Sequence, residues 1–209
     1  MVAGGGALTV VVDEAIWRFR GRRWAHLACD GDLDELHRFA AAIGVHRVSF
    51  GGDHYDVTAE QRVAALAAGA VPVGARELVR LLRAAGLRRR PGDGAHHWSP
   101  LAHHDELDAT GVGAAVRAAL PWLDGHAAAA HALQALAQGW SGGGPIAVRV
   151  LARPGEVAVL LVASTVPTLA GPLPAEPPPP ITAWLAWPAA DHRLLEVFMR
   201  PPDVPMTTR

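Results

Sequence analysis

The first 87 residues alternate short β-branched runs with amphipathic helical segments, and that alternation limits the fold more than any other feature. "LTVVVD" (8–13) reads as a strand buried on both faces. "DLDELHRFAAAIG" (32–44) reads as a helix, with Asp32 as its N-cap, Glu35 three positions later and Gly44 at its end. "HRVSF" (46–50) is a second predicted strand and "TAEQRVAALAAG" (58–69) a second helix, where Thr58 and Gln61 have capping-box spacing. "AVPV" (70–73) and "ARELVRLLRAAG" (75–86) repeat the pattern. Such repeats predict an α/β fold, with a small three-layer N-terminal domain around a parallel sheet. Ligands of parallel sheets sit beyond the C-terminal ends of the strands. Asp13, the cluster Asp53-His54-Tyr55-Asp56 and Gly74–Arg76 all fall at such positions.

The pattern breaks at residues 88–111, a stretch rich in Arg, Gly, Pro and His that reads as a solvated linker loop. Two alanine-rich helices are predicted next, at about 112–122 and 126–139. Residues 145–164 read as two strands around the turn "RPGE". A proline-rich loop (171–180) leads to strand candidates at 181–187 and 192–200. Residues 112–209 are therefore expected to form a small α+β domain with an antiparallel sheet, through which the chain could form a homodimer.

Composition excludes several classes. The 209 residues carry a formal net charge of -1, and all 19 basic residues are Arg. That balance gives no global footprint for nucleic acid or an acidic membrane. The lone cysteine, Cys29, excludes an internal disulfide and a four-Cys zinc site. The start of the chain lacks signal-peptide features, and its longest apolar run, "VAVLLVA", is too short to span a bilayer. The expectation is a soluble, cytoplasmic protein.

The segments "VVVD" (10–13), "GRRWAHLACD" (21–30), "DELHRFAAAIGV" (34–45), "DHYDV" (53–57) and "GAVPVGARELV" (69–79) together resemble the bacterial domain of unknown function 4031 family, in its order and spacing. The resemblance covers roughly residues 8–87. It implies no activity. It marks Asp13, Arg22, Trp24, His26, Asp30, His37, His54, Tyr55 and Asp56 as the polar positions that match the family pattern. The chain departs from that pattern at Glu14-Ala15 and at Phe19-Arg20. The C-terminal half resembles no family.

Three constellations could carry chemistry. The first is a divalent-metal site, Mg²⁺ or Mn²⁺, held by Asp13, His54 and Asp56 with His26 or Asp30 nearby; added imidazoles would turn the preference toward Mn²⁺, Fe²⁺ or Zn²⁺. Here His54 and Asp56 are the candidate catalytic residues, His54 as ligand or general base. Against it stands a structural reading, in which Asp56 and Thr58 cap a helix while His54 and Tyr55 pack. The second is a phosphate site. The N-termini of the three helices and the loop "RFRGRRW" (18–24) would supply N–H groups and guanidinium forks, with Arg22, Trp24, His26, Tyr55 and Arg76 as ligand-binding candidates. Neither a Walker loop nor a G-x-G-x-x-G is present. The third is the group His96, His97, His103, His104 and Asp105, better read as a solvated loop than as a metal site.

Elsewhere the expectations are structural. His37, on the flank of its helix stripe, is expected to be a partly buried, hydrogen-bonded residue, and Cys29 a core residue rather than a nucleophile. Trp122, Trp140, Trp184 and Trp187 read chiefly as packing residues, and His126 and His131 as a poor chelating pair. The leading functional expectation is binding of a phosphate-bearing small molecule or nucleotide, with metal-dependent hydrolysis of its phosphoester. A non-catalytic interaction module is the alternative. A nuclease-like protein is the third reading, weighed down by neutral charge and by few aromatics near the Arg loop.

Overall fold

The computed structural model describes residues 9–19, 21–88, 97–142, 144–165, 173, 176–187 and 193–202. Arg20, His96 and residues 171, 172, 174 and 175 of the proline-rich loop therefore lie outside the described residues. The chain divides into two compact units, Met1–His96 and His97–Arg209. The fold is mixed α/β, with one mixed sheet and one antiparallel sheet.

The first unit runs β1 (Val10–Val12), β2 (Trp17–Phe19), β3 (Arg22–Cys29), α1 (Leu33–Ala42), a 3₁₀ turn (Arg47–Ser49), β4 (Tyr55–Thr58), α2 (Ala59–Ala67), β5 (Val71–Pro72) and α3 (Ala75–Ala84). The sheet differs from the expected parallel one. β1 and β5 are parallel, but β3 runs antiparallel to β1, β2 and β4. Two misread segments account for this. "HRVSF" supplies the 3₁₀ turn instead of a strand, and the sheet strand is β4, which pairs with β3 where a helix approach was expected. The loop "RFRGRRW" is the end of a β-hairpin, closed at Gly21 with φ +74°. That backbone region favours glycine.

β3 is the spine of this sheet. Alternation sends its residues to opposite faces. Ala25, Leu27 and Cys29 join Val10 and Val12 in a core with Leu36, Ala40, Tyr55, Val57 and Ala65. Ala28 and Val11 face the other way, onto Leu78 and Leu82 of α3. The helix signals hold where their physics is local. Asp32 caps α1 by accepting from Asp34 N, and Thr58 caps α2 in a full capping box with Gln61.

The second unit contains β6 (Ser99–Leu107), α4 (Ala109–Ala119), a 3₁₀ turn (Pro121–Gly125), α5 (Ala127–Trp140), β7 (Ile146–Arg153), β8 (Glu156–Ala163), β9 (Ile181–Trp187) and β10 (Leu194–Met199). Its sheet is antiparallel throughout, in the order β6-β7-β8-β10-β9. α4 and α5 contribute Val112, Val116, Leu133 and Trp140 to one core with Val148, Val159, Leu161 and Val197. Trp140 is fully buried and donates through Nε1 to Arg193 O (3.0 Å). Trp122 and Trp184 pack on the same cluster, and Trp187 donates to Glu196 (2.8 Å).

The linker expectation needs correction over residues 99–107, which form the edge strand β6 instead of a loop. Pro100 and two register irregularities interrupt its pairing, as befits an edge. His103 and Asp105 pair on its exposed surface (2.8 Å). Among the described residues, no helix is long and apolar enough to cross a membrane.

Candidate functional site

The polar residues of the first unit converge across three neighbouring strands. His26 of β3 is the cross-strand partner of Asp56 in β4. On the opposite edge of β3, Asp13 directly follows β1, and its N–H donates to His26 O (3.1 Å). His54 precedes Asp56 by two residues, which puts it on the same side of the chain. A tight loop sets its position. Gly52 has φ +99°, and Gly51 N donates to His54 O (2.8 Å).

Each histidine is held through Nδ1 by a buried carboxylate. Asp13, 1% exposed, accepts from His26 N (2.6 Å) through Oδ1 and from His26 Nδ1 (2.8 Å) through Oδ2. Asp53, 2% exposed, accepts from His54 Nδ1 through one oxygen and from Arg88 (2.9 Å) through the other. An ionised carboxylate only accepts, so Nδ1 carries the proton in both rings. The Nε2 atoms are thereby turned to a common point. They lie 3.9 Å (His26) and 3.7 Å (His54) from Asp56 Oδ1, with the rings edge to face at 5.0 Å between centroids. One ligand atom from each of His26, His54 and Asp56 falls within a 4.8 Å group. Ligands at about 2.1 Å from a tetrahedral ion stand about 3.4 Å apart. The two distances to Asp56 are a few tenths of an ångström wider than that.

The charges are strongly coupled. Burial works against the charged form of His54, but the hydrogen bonds and negative charges of Asp53 and Asp56 outweigh it and push the ring up to about 9. The His54 ring, 3.7 Å away, holds the Asp56 carboxyl below the usual range by offering its Nε2 proton and its charge, against some desolvation and helped by the charge of His26.

The expected site residues separate into two groups. His26, His54 and Asp56 come together. Asp13, expected as a ligand, instead spends both oxygens on His26 and orients it. Tyr55, expected to touch a ligand, is fully buried, because it alternates with His54 and Asp56 and so points to the opposite face. Its hydroxyl pairs with His37 Nδ1 (2.6 Å) and its ring packs on Phe50. His37 thus has the hydrogen-bonded role expected of it. Tyr55→Phe is expected to cost about 1 kcal/mol of stability through this lost bond, which a urea melt checks.

Arg22 and Trp24 lie on β3, on the same side as His26; Trp24 Nε1 donates to Phe19 O (3.1 Å). Arg76 sits in the exposed first turn of α3. Asp30 accepts from Thr9 N (2.8 Å) at the far end of β3. Cys29 is buried, and burial together with nearby carboxylates raises its thiol despite a backbone hydrogen bond, the opposite of an activated nucleophile. Sequence reasoning gave no orienting role to Asp53 or Arg88, and none at all to Trp17, whose ring meets His26 edge-on at 6.1 Å. An Asp directly before a His was the available signal for Asp53.

No curated protein and no solved structure matches the chain. Residues 10–85, which hold Asp13, His26, Asp53, His54 and Asp56, match the family described as Protein of unknown function (DUF4031).

Proposed function

We propose that the first unit binds a divalent transition-metal ion through His26 Nε2, His54 Nε2 and Asp56 Oδ1, and uses it to hydrolyse a phosphoester. One observation carries the metal reading: two histidines fixed at Nδ1 by separate buried carboxylates aim their Nε2 atoms at one shared carboxylate. Metal-bound histidines as a rule donate their other ring N–H to a carboxylate, a backbone carbonyl or water, which sets the tautomer and raises ligand basicity. Two imidazoles and one carboxylate suit Mn²⁺, Fe²⁺ or Zn²⁺ better than Mg²⁺, which prefers oxygen. Three protein ligands leave a coordination position for water, and a bound ion lowers that water's pKa and polarises a phosphoryl oxygen.

His54 belongs to the metal in this reading, not to proton transfer. With its pKa at about 9, the metal-free ring is charged at neutral pH and cannot serve as a free base. Asp13 and Asp53 are positioning residues. Support for a phosphate-bearing substrate comes from Arg22, four residues before His26 on β3 and so on the same face.

The test is hydrolysis of bis(p-nitrophenyl) phosphate by the full chain with Mn²⁺ or Zn²⁺. Release of nitrophenol, abolished by EDTA and reduced at least about 100-fold in His26→Ala, is the expected result. Metal bound with no turnover of this or any phosphomonoester would leave the site a binding centre and end the hydrolase reading.

A further inference from the structure

The hairpin that carries His26 continues past the proposed metal site as a polar-aromatic strip. Cross-strand partners share a face of a sheet, and so do alternate residues of one strand. Trp17 pairs with Trp24, and Phe19 with Arg22. Trp24 is two residues from His26. Trp17, Phe19, Arg22 and Trp24 therefore share the face that bears His26 and Asp56. Trp17 is 56% exposed and Phe19 61% exposed, a large apolar area for two neighbouring side chains in one three-residue strand. α3 packs on this face at Val11 and Ala28, through Leu78 and Leu82.

The charge of the hairpin is one-sided. Residues 17–24 read "WRFRGRRW", with four Arg and no acid. Arg18 and Arg23 are partners on the hairpin's other face and are exposed. Glu60, opening α2, lies within electrostatic reach of Arg22 and offsets part of this charge.

From this juxtaposition we infer that the β2–β3 hairpin is a binding platform for single-stranded nucleic acid, which delivers a phosphodiester to the metal site. The inference rests on the metal reading for its chemistry, but not for its binding. Exposed aromatic rings stack bases without regard to sequence, and Arg pairs with the backbone phosphates between them. Trp17 stands next to His26 (6.1 Å between rings), so a base stacked there leaves its phosphate beside the metal ligands. From His26 to Arg22 the strip runs about 13 Å, at about 3.3 Å per residue. A mononucleotide held at the metal by its phosphate would not reach Phe19 and Arg22; a strand does. The near-neutral charge of the whole chain does not oppose this, because four of its 19 Arg fall within residues 17–24, and the pairing of β2 with β3 sets Trp17, Phe19 and Trp24 among them, more aromatics than the sequence reading allowed.

The test is fluorescence anisotropy of labelled oligothymidylate, about 12 nucleotides long, with the full chain in EDTA at about 50 mM salt. Binding is expected in the micromolar range. Trp17→Ala/Phe19→Ala should weaken it at least about tenfold through the two lost stacking surfaces. Arg22→Ala should weaken it several-fold and lower the salt slope by about one. Val162→Ala, which trims an exposed apolar side chain of the second unit, should change nothing. The exposed variants should melt with the parent. The inference is overturned by no binding at about 100 μM protein, by binding unaffected by the double variant, or by self-association that this variant abolishes without any strand binding. Full competition by thymidine monophosphate at equal affinity also overturns it in favour of a free nucleotide. Strand binding in EDTA by a chain that takes up no metal would retire the metal reading and leave the platform. Metal uptake without strand binding would do the reverse.

Discussion

Asp56→Asn is expected to weaken Mn²⁺ or Zn²⁺ binding by at least about 100-fold in isothermal titration, while the variant melts within about 1 kcal/mol of the parent. The change removes the anionic ligand and keeps the side-chain shape. Asp56 is exposed, so its loss opens no cavity. Its cross-strand partner His26 stays anchored to Asp13, and His54 to Asp53. Affinity for the ion should also rise with pH in the parent. His54 retains a proton up to about 9, and an ion bound at Nε2 must displace it. In Asp56→Asn one of the two carboxylates that hold this proton is gone, so whatever affinity remains should vary less steeply with pH. A purely structural role for the cluster predicts no metal binding in either protein and no such pH dependence.

Asp53→Asn is the second large effect, and it acts on the fold. Asp53 is buried and bridges His54 to Arg88. Removing the shared anion of such a pair leaves a cation without its partner at a cost of about 3 kcal/mol. The loss should depend on pH. His54 has a folded pKa of about 9 against an ordinary value of 6.5. Its contribution is therefore fully present below pH 6.5 and lost as the pH rises toward 9. A shift of that size is on the order of 3 kcal/mol. Asp56 works in the opposite sense: its folded pKa is lowered, so its contribution is lost as the pH falls below its ordinary value of 3.8. Urea midpoints of the metal-free parent should accordingly fall between pH 6.5 and 9. In Asp53→Asn the curve should be lower at pH 6 and flatter above it. Metal-free stability and metal affinity thus run in opposite directions across the same interval.

What could be read in the sequence follows the range of the physics. Capping and helical periodicity are local, and the helices at Leu33–Ala42, Ala59–Ala67 and Ala75–Ala84 fall where Asp32, Thr58 and the leucine stripe of α3 indicate. The β7–β8 hairpin was legible from the turn around Pro154-Gly155, where Gly155 takes φ +77°. Strand direction is not local. Nothing in "VVVD" says whether its neighbour runs parallel, and the antiparallel β3 decides that for the whole sheet. β3 itself was hidden because its exposed half reads as a basic loop; only the alternation of Trp17, Phe19, Trp24 and His26 around Gly21 betrays a hairpin. β4 was hidden behind the glycines at 51 and 52, which look like a helix approach.

The site was legible in composition but not in roles. Asp13, His26, His54 and Asp56 stand out as polar groups at element ends. Which of them can hold an ion depends on cross-strand register. It puts Asp56 opposite His26, and Asp13 against the His26 backbone on the other edge. The same alternation that brings His54 and Asp56 together sends Tyr55 into the core. A short polar cluster in a strand is thus two half-clusters, one for each face.

The central claim is that His26, His54 and Asp56 share one ion. Crystals soaked in Mn²⁺, with anomalous data collected for manganese, test it directly. The account predicts an anomalous peak about 2 Å from His26 Nε2, His54 Nε2 and Asp56 Oδ1, with Asp13 and Asp53 still bonded to the two Nδ1 atoms. A map with both rings in place and no peak between them, or a peak bound to Asp13 instead, would contradict it.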